Sequence, residues 1–454
     1  MSGPAAPKSA TVRLTQLVTL VALFGLLWLG VRVVPEAQGM AALVGALGFL
    51  LLAGTLASEI CEVVGLPHLT GYIAAGVVAG PHVLHLIEHH TVERLSVVNT
   101  LALALIALAG GAELRLADLR ATAKSLLSAM IFQSLIVLAV TTAAFFVLAR
   151  FMPFTAGISR MGLIGVGLLW GVLAVSRSPS ATLAILSQTR AHGPVARFTL
   201  AFVMSSDVVV LVMLAVAMMA ARQLLDPTAQ TSFSDFEALG HELLGSSSLG
   251  ITLGLVLTFY LRFVSSELLV VLMALGYGMT AGLHYLRFDP LLTFLIAGFV
   301  VQNFSRQGQK LLHAVEQTSA IVFVVFFASA GAHLDVPLLR SLWPLALGLA
   351  VIRGAATWLA HRASTRVADD PPAIRRYGSA GLMSQAGLTL GLSMVIAREF
   401  PTFGPGLRSL CIAVVAVNEV IGPILFKLAL DRNGETAPDA GPRAASTEQP
   451  PLAS

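Results

Sequence analysis

The chain alternates long apolar runs with short polar breaks. A helix that crosses a bilayer needs about 20 mainly apolar residues. Fourteen such runs stand out, at 14–34, 41–64, 68–87, 96–112, 124–149, 160–188, 195–221, 249–264, 267–285, 289–304, 316–334, 337–361, 378–398 and 405–430. The breaks carry proline, glycine or charge, as at Pro35, Gly65-Leu66-Pro67, Pro153, Asp289-Pro290, Pro371-Pro372 and Pro401. One longer break, 226–248, holds an amphipathic stretch at 236–244 and reads as a loop. The pattern predicts an all-α polytopic membrane protein with about 14 transmembrane helices. The first run follows Lys8 and Arg13 without a convincing small-residue cleavage site, so it reads as a retained signal-anchor helix. Residues 431–454 are polar, rich in Ala, Pro and Gly, and read as a disordered tail.

Composition agrees. Of 454 residues, 56% are hydrophobic and only 11% charged, with a mean hydropathy of +0.84. A soluble domain carries roughly 25% charged residues, so soluble enzymes, nucleic-acid binders and disordered chains are excluded. Cys61 and Cys411 both lie in apolar runs and offer neither a disulfide framework nor metal-ligand spacing. The net charge of +4 matters through its placement. With the N-terminus inside, the loops on its side hold most of the lysine and arginine, which predicts two cytoplasmic termini.

The runs divide into two sets of six. After an N-terminal extra helix (1–40), spans in 41–221 and spans in 267–430 flank a loop and linker helix (222–266). The odd number of crossings between them starts the second set on the opposite side of the membrane. That is an inverted repeat, an architecture that places substrate at the bilayer midplane between interrupted helices.

Asp207, Arg353 and Glu419 fall mid-way along apolar runs, where each charge costs at least about 2.5–3.5 kcal/mol. Asp207, in "LAFVMSSDVVVLVML", lies about 18 Å into its span and is the clearest candidate to bind a proton or a cation. Arg353 and Glu419 are the others, and a structural Arg353–Glu419 ion pair is the expectation for them. Two runs also carry polar interruptions. "AVSRSPSATLAIL" places Pro179 among Ser176, Ser178, Ser180 and Thr182, beside Arg177; "GLMSQAGLTLGL" supplies Ser384, Gln385, Gly387 and Thr389. A broken helix survives at membrane depth only where it is buried or lines a cavity. The spacing Gly71–Gly76–Gly80 indicates close helix packing.

Six strings in order resemble the monovalent cation:proton antiporter superfamily, in the branch of bacterial sodium/proton and potassium/proton exchangers. They are "GLPHLTGYIAAGVVAGPHVL", "LALALIALAGGAELRLADLR", "SRSPSATLAIL", "SSDVVVL", "FVVFFASAGAHLD" and "SQAGLTLGLSM". The resemblance implies an inverted-repeat antiporter fold with two crossed interrupted helices, a homodimer in the inner membrane and an elevator-type movement. It implies that Asp207 binds cation and proton, with Ser206 at the preceding motif position and Ser178 and Thr182 in the crossover segment. Arg353 matches a basic residue facing the aspartate pair of relatives. Serine at 206 leaves one acid in the motif, which implies electroneutral exchange of one proton for one Na+ or K+, serving pH homeostasis. Arg177 departs from the family pattern; it is expected either to neutralise Asp207 or to meet a carbonyl-rich helix end. Glu419, Gln385 and Ser384 are supporting candidates. No cofactor is implied, and no His-Glu zinc motif or Ser-Lys dyad marks an enzyme. A same-fold transporter with altered substrate, or an ion channel, is the alternative.

Overall fold

The computed structural model describes residues 18–25, 40–63, 65–225, 234–263, 271, 278–279, 282–283, 285–286, 288–334, 336–385 and 387–436. Most of the expected 14–34 and 267–285 spans, and the tail beyond 436, lie outside them. The described residues form an all-helical bundle. Seven helices among them are long and apolar enough to cross a membrane, and four shorter apolar helices accompany them.

In chain order the principal helices are α1 (Met40–Val63), α2 (His68–Ala79), α3 (Ser96–Glu113), α4 (Ala123–Phe151), α5 (Arg160–Val175), α6 (Pro179–Thr189), α7 (Pro194–Leu225) and α8 (Ser234–Phe263). They continue as α9 (Pro290–Phe304), α10 (Gly308–Ala332), α11 (Val336–Ala368), α12 (Pro372–Tyr377), α13 (Gly387–Glu399) and α14 (Gly404–Arg432). Starts follow local chemistry. Ser159 accepts the Gly162 N–H at the head of α5, and Asp289 accepts that of Leu292 ahead of Pro290 at the head of α9.

Three expected boundaries move. The run 68–87 ends its helix at Ala79, because Gly80 and Pro81 stop it and a turn follows. The stretch from 234 to 248 is the opening of α8 rather than a loop, held where the Ser246 hydroxyl accepts the Asp289 N–H at 2.8 Å. The first residues of the expected tail are ordered. Glu435 folds back so that its carboxylate accepts the N–H groups of Val195 and Ala196, capping α7.

The helices pack as two bundles. One, built on α4, α5, α7, α11, α13 and α14, has its own apolar core around Phe145, Leu169, Leu214, Leu349 and Phe403. The other gathers α1, α2, α3, α8, α9 and α10. A further cluster joins them, bringing Ile73 and Ile106 against Ile185, Phe198 and Phe202. Peripheral helices turn leucine and phenylalanine outward, as at Leu135 and Phe259, which suits a lipid surface.

Two reciprocal glycine contacts hold the second bundle. A Cβ at Gly76 would fall 1.9 Å from the Ala328 carbonyl oxygen, and one at Gly331 2.2 Å from that of Ile73. Likewise Gly111 abuts Leu295 and Gly298 abuts Leu108. Thus the second helix of each half meets the third helix of the other, the pairing an inverted repeat generates. Gly348, mid-way along α11, has nothing within 4 Å of its Cβ position. Gly76→Ala is therefore expected to lower the thermal midpoint of the detergent-purified protein, by overpacking worth about 1–3 kcal/mol. Gly348→Ala is expected to leave the midpoint equal or higher; a reversed order contradicts the close approach.

Candidate functional site

The run 160–188 folds as two helices separated by Ser176, Arg177 and Ser178. Pro179 supplies no N–H, and the residue before a proline is driven out of the helical region. Ser178 accordingly stands extended, at φ −112° and ψ 102°, and its hydroxyl accepts the Ala181 N–H to start α6. The second interruption has no proline. There α12 passes into a tight 3-10 turn, Gly378–Leu382, and helix resumes only at Gly387. The two rods meet at their breaks: Gln385 donates to the Leu173 carbonyl at 2.8 Å, and the Ser176 and Thr389 hydroxyls share a hydrogen bond.

This crossing places two helix C-termini together. Each carries about half a negative charge on its unpaired carbonyls. Arg353 bridges both ends, its Nε donating to Ala174 O at 2.8 Å, Nη2 to Ser176 O at 3.0 Å and Nη1 to Met383 O at 2.8 Å. Arg177 adds to one of them, donating from Nη1 to the Ala174 and Ser176 carbonyls. Its Nη2 donates to Gln133 Oε1 at 3.0 Å and to the Thr357 hydroxyl at 3.3 Å. Gln133 sits in a π-helical turn of α4 and donates in turn to the Thr357 carbonyl. Both guanidinium groups are almost wholly buried, and arginine stays charged there.

The N-terminal ends of the half-helices look into a cleft of about 690 Å³, its open mouth included. Ser178, Pro179 and Ser180 from α6, Leu388 from α13, and Met204, Asp207, Val208 and Leu211 from α7 line one wall. Ile106 and Ala107 from α3 and Asp289, Leu291, Leu292 and Leu295 from α9 line the other. The cleft thus lies on the boundary between the bundles. Asp207 Oδ1 is buried with no hydrogen-bond partner. A buried carboxylate oxygen costs free energy unless something pairs with it, and a proton or a metal cation meets that need.

The sequence candidates fall into separate groups. Asp207 and Ser178 share the cleft. Ser206 turns away, donating to the Val203 carbonyl, and Thr182 donates to the Ser178 carbonyl. Arg177, Arg353 and Gln385 stand on the carbonyl side of the crossing. Buried Ser384 backs onto Gly422 of α14. The expected Arg353–Glu419 ion pair does not form: each guanidinium nitrogen of Arg353 donates to a main-chain carbonyl instead. A carbonyl-rich helix end outcompetes a single carboxylate because it offers several fixed dipoles. Glu419 is buried beside Asn418, which donates to Gln385 Oε1 at 2.7 Å.

The pattern of the family described as "sodium/hydrogen exchanger, transmembrane" matches residues 47–430. The chain belongs to that family. No curated protein sequence matches, but solved structures do. The structure of the sodium proton antiporter MjNhaP1 from Methanocaldococcus jannaschii at pH 8 is 17% identical. It covers 86% of this chain and 96% of its own at a TM-score of 0.61. An electron-microscopy map of the same antiporter gives 18% identity, coverage of 88% and 100%, and a TM-score of 0.69. At that identity the likeness concerns the fold.

Gln133, Thr357 and Asp289 did not stand out in the sequence. Only the π turn singles out Gln133 and only the packing of α9 brings Asp289 to the cleft. For Arg353 the expectation follows from its bridging geometry. Arg353→Gln is expected to destabilise by about 3–5 kcal/mol, by leaving buried carbonyls unpaired. Arg353→Lys should fall between, because one ammonium cannot span both ends. Thermal midpoints of the purified variants test this order; a Gln variant as stable as the parent contradicts it.

Proposed function

We propose that this membrane transporter exchanges a monovalent cation, Na+ or K+, for H+ by competitive binding at Asp207. The observation that carries the reading is the unpartnered Asp207 Oδ1 in a cleft lined, among the described residues, by no basic side chain. Membership of the sodium/hydrogen exchanger family supports cation/proton exchange rather than catalysis of a chemical reaction. MjNhaP1, a sodium proton antiporter by name, supports sodium as one cation.

A single titrating acid carries either passenger but not both. With Ser206 bonded to its own helix and Arg177 engaged by carbonyls and Gln133, one proton exchanges for one cation, and the cycle moves no net charge. Such a cycle escapes the roughly 2.3 kcal/mol per charge that 100 mV exerts. The site's position on the boundary between two bundles, each with an apolar core of its own, supports an elevator-type alternation, in which the Asp207 bundle slides against the bundle of α1–α3 and α8–α10. Ser178 at the head of α6 supplies a neighbouring hydroxyl, with Thr182 one turn on, and Glu419, Gln385 and Ser384 stabilise the crossing. The protein works as a homodimer in the cell (inner) membrane, with both termini cytoplasmic, and serves pH homeostasis.

Proteoliposomes carrying a proton gradient test the reading. Adding lithium, sodium, potassium or rubidium should collapse the gradient in the parent and not in Asp207→Asn. Because protons and cations compete, the apparent cation affinity should rise as pH rises, until the carboxylate is fully ionised. A pH-independent affinity, or full activity in Asp207→Asn, contradicts the proposal.

A further inference from the structure

α2 and α9 begin on opposite faces of the molecule. The chain turns from the end of α2 into α3, and Asn303 at the end of α9 bonds to Leu114 and Leu116 at the end of α3, so α3 and α9 run the same way. The cleft reaches from Asp207 to the first two turns of α9. On the other face, the loop that starts α2 is held from across the bundle boundary at two points. Pro67, which precedes α2, has no side-chain oxygen to cap it. The first N–H of the helix, that of His68, donates instead to Gln188 Oε1 of α6 at 3.1 Å. Three residues earlier, the Gly65 carbonyl accepts from Lys427 Nζ of α14 at 3.1 Å. The turn that presents this carbonyl takes a φ of +77°, which glycine supplies without strain. Behind the two bonds, Leu69 and Ile73 of α2 share an apolar cluster with Ile185 of α6 and Phe198 of α7.

We propose that Gln188 and Lys427 form a two-point latch that holds the boundary shut at the face where α2 begins, and so set how often Asp207 faces each side. This rests on the elevator-type exchange proposed above and adds a bias to it. The 65–68 loop stays with α1 and α2, whereas Gln188 and Lys427 travel with α6 and α14 in the bundle of Asp207. Sliding of that bundle therefore breaks both bonds. An interaction made in only one of two states shifts the equilibrium between them by its own free energy. The latch thus favours the state in which Asp207 looks toward the head of α9. A single net hydrogen bond is modest once water can replace it, so the device biases the alternation without locking it.

Gln188→Met and Lys427→Met remove the acceptor and the donor while keeping the apolar stems; Gln188→Glu and Lys427→Arg keep both functions. Exchange is measured in oriented proteoliposomes with sodium supplied on one face at a time. Each bond lost should shift the ratio of the two states by about twofold to tenfold. The less populated state gains the larger fraction, so the sodium KM on the α2 face should fall by about that factor, while on the α9 face it should rise by no more than about twofold. The Glu and Arg variants should stay near the parent. Leu292→Cys, on the α9 wall of the cleft, gives a readout independent of exchange. In detergent-purified protein, maleimide labelling at that position should slow by about twofold or more when both Met substitutions are present. KM values unchanged on both faces, moving the same way on both, or moved equally by the Glu and Arg variants overturn the latch. Absence of sodium-driven proton movement in the parent overturns the exchange reading instead. The labelling rate then decides the latch alone: slowing supports it, and an unchanged rate overturns it.

Discussion

Two helix ends of like sign meet inside a low-dielectric slab, and the rest of the structure depends on cancelling them. Unpaired carbonyls at membrane depth have no water to turn to. Arg353 meets them from α11 by bridging the Ala174 and Ser176 carbonyls to that of Met383. Arg177 meets the first end from within the break itself. A crossing of two broken helices without these cations would carry uncompensated negative potential at its centre. With them, the breaks are fixed and the opposite, positive ends are presented to the cleft.

That division gives the site its sign. Both guanidinium groups are engaged on the carbonyl side, so neither forms an ion pair with Asp207 among the described residues. The carboxylate faces a cleft whose other charged lining residue, among the described residues, is Asp289. The ligand such a space favours is a small cation, with a proton as its competitor. The placement of the cleft has an equally physical origin. Reciprocal glycine contacts lock α2 to α10 and α3 to α9 at backbone distance, making one bundle a tight unit. The crossing lies in the other, and the cleft falls where the two meet.

Much of this was legible along the chain. Asp207 is conspicuous because apolar turns flank it on both sides, and Pro179 among serines announces the first break. Arg177 and Arg353 were visible as charges that a membrane does not tolerate idly. Their partners were not, since a main-chain carbonyl has no sequence signature; the expected Arg353–Glu419 pair followed from matching side-chain charges and overlooked the backbone. Gln133 reads as an ordinary polar residue in an apolar run until a π turn aims it at Arg177. Asp289 looked like a loop marker before Pro290, and its cap to Leu292 fits that reading. Only the tertiary packing of α9 on α3 and α8 brings it to the cleft. The break at 383–385 was faint because no proline makes it; the crossing itself holds the chain open there.

The central claim is that one carboxylate, Asp207, carries either a cation or a proton. Proton release on cation binding tests it most directly, in detergent-purified protein in weakly buffered solution with a pH-indicating dye and choline chloride as the ionic-strength control. The expected result is release approaching about one proton per sodium bound at a pH where the carboxylate is protonated, and none from Asp207→Asn. Sodium binding without proton release, or release undiminished in Asp207→Asn, would contradict it.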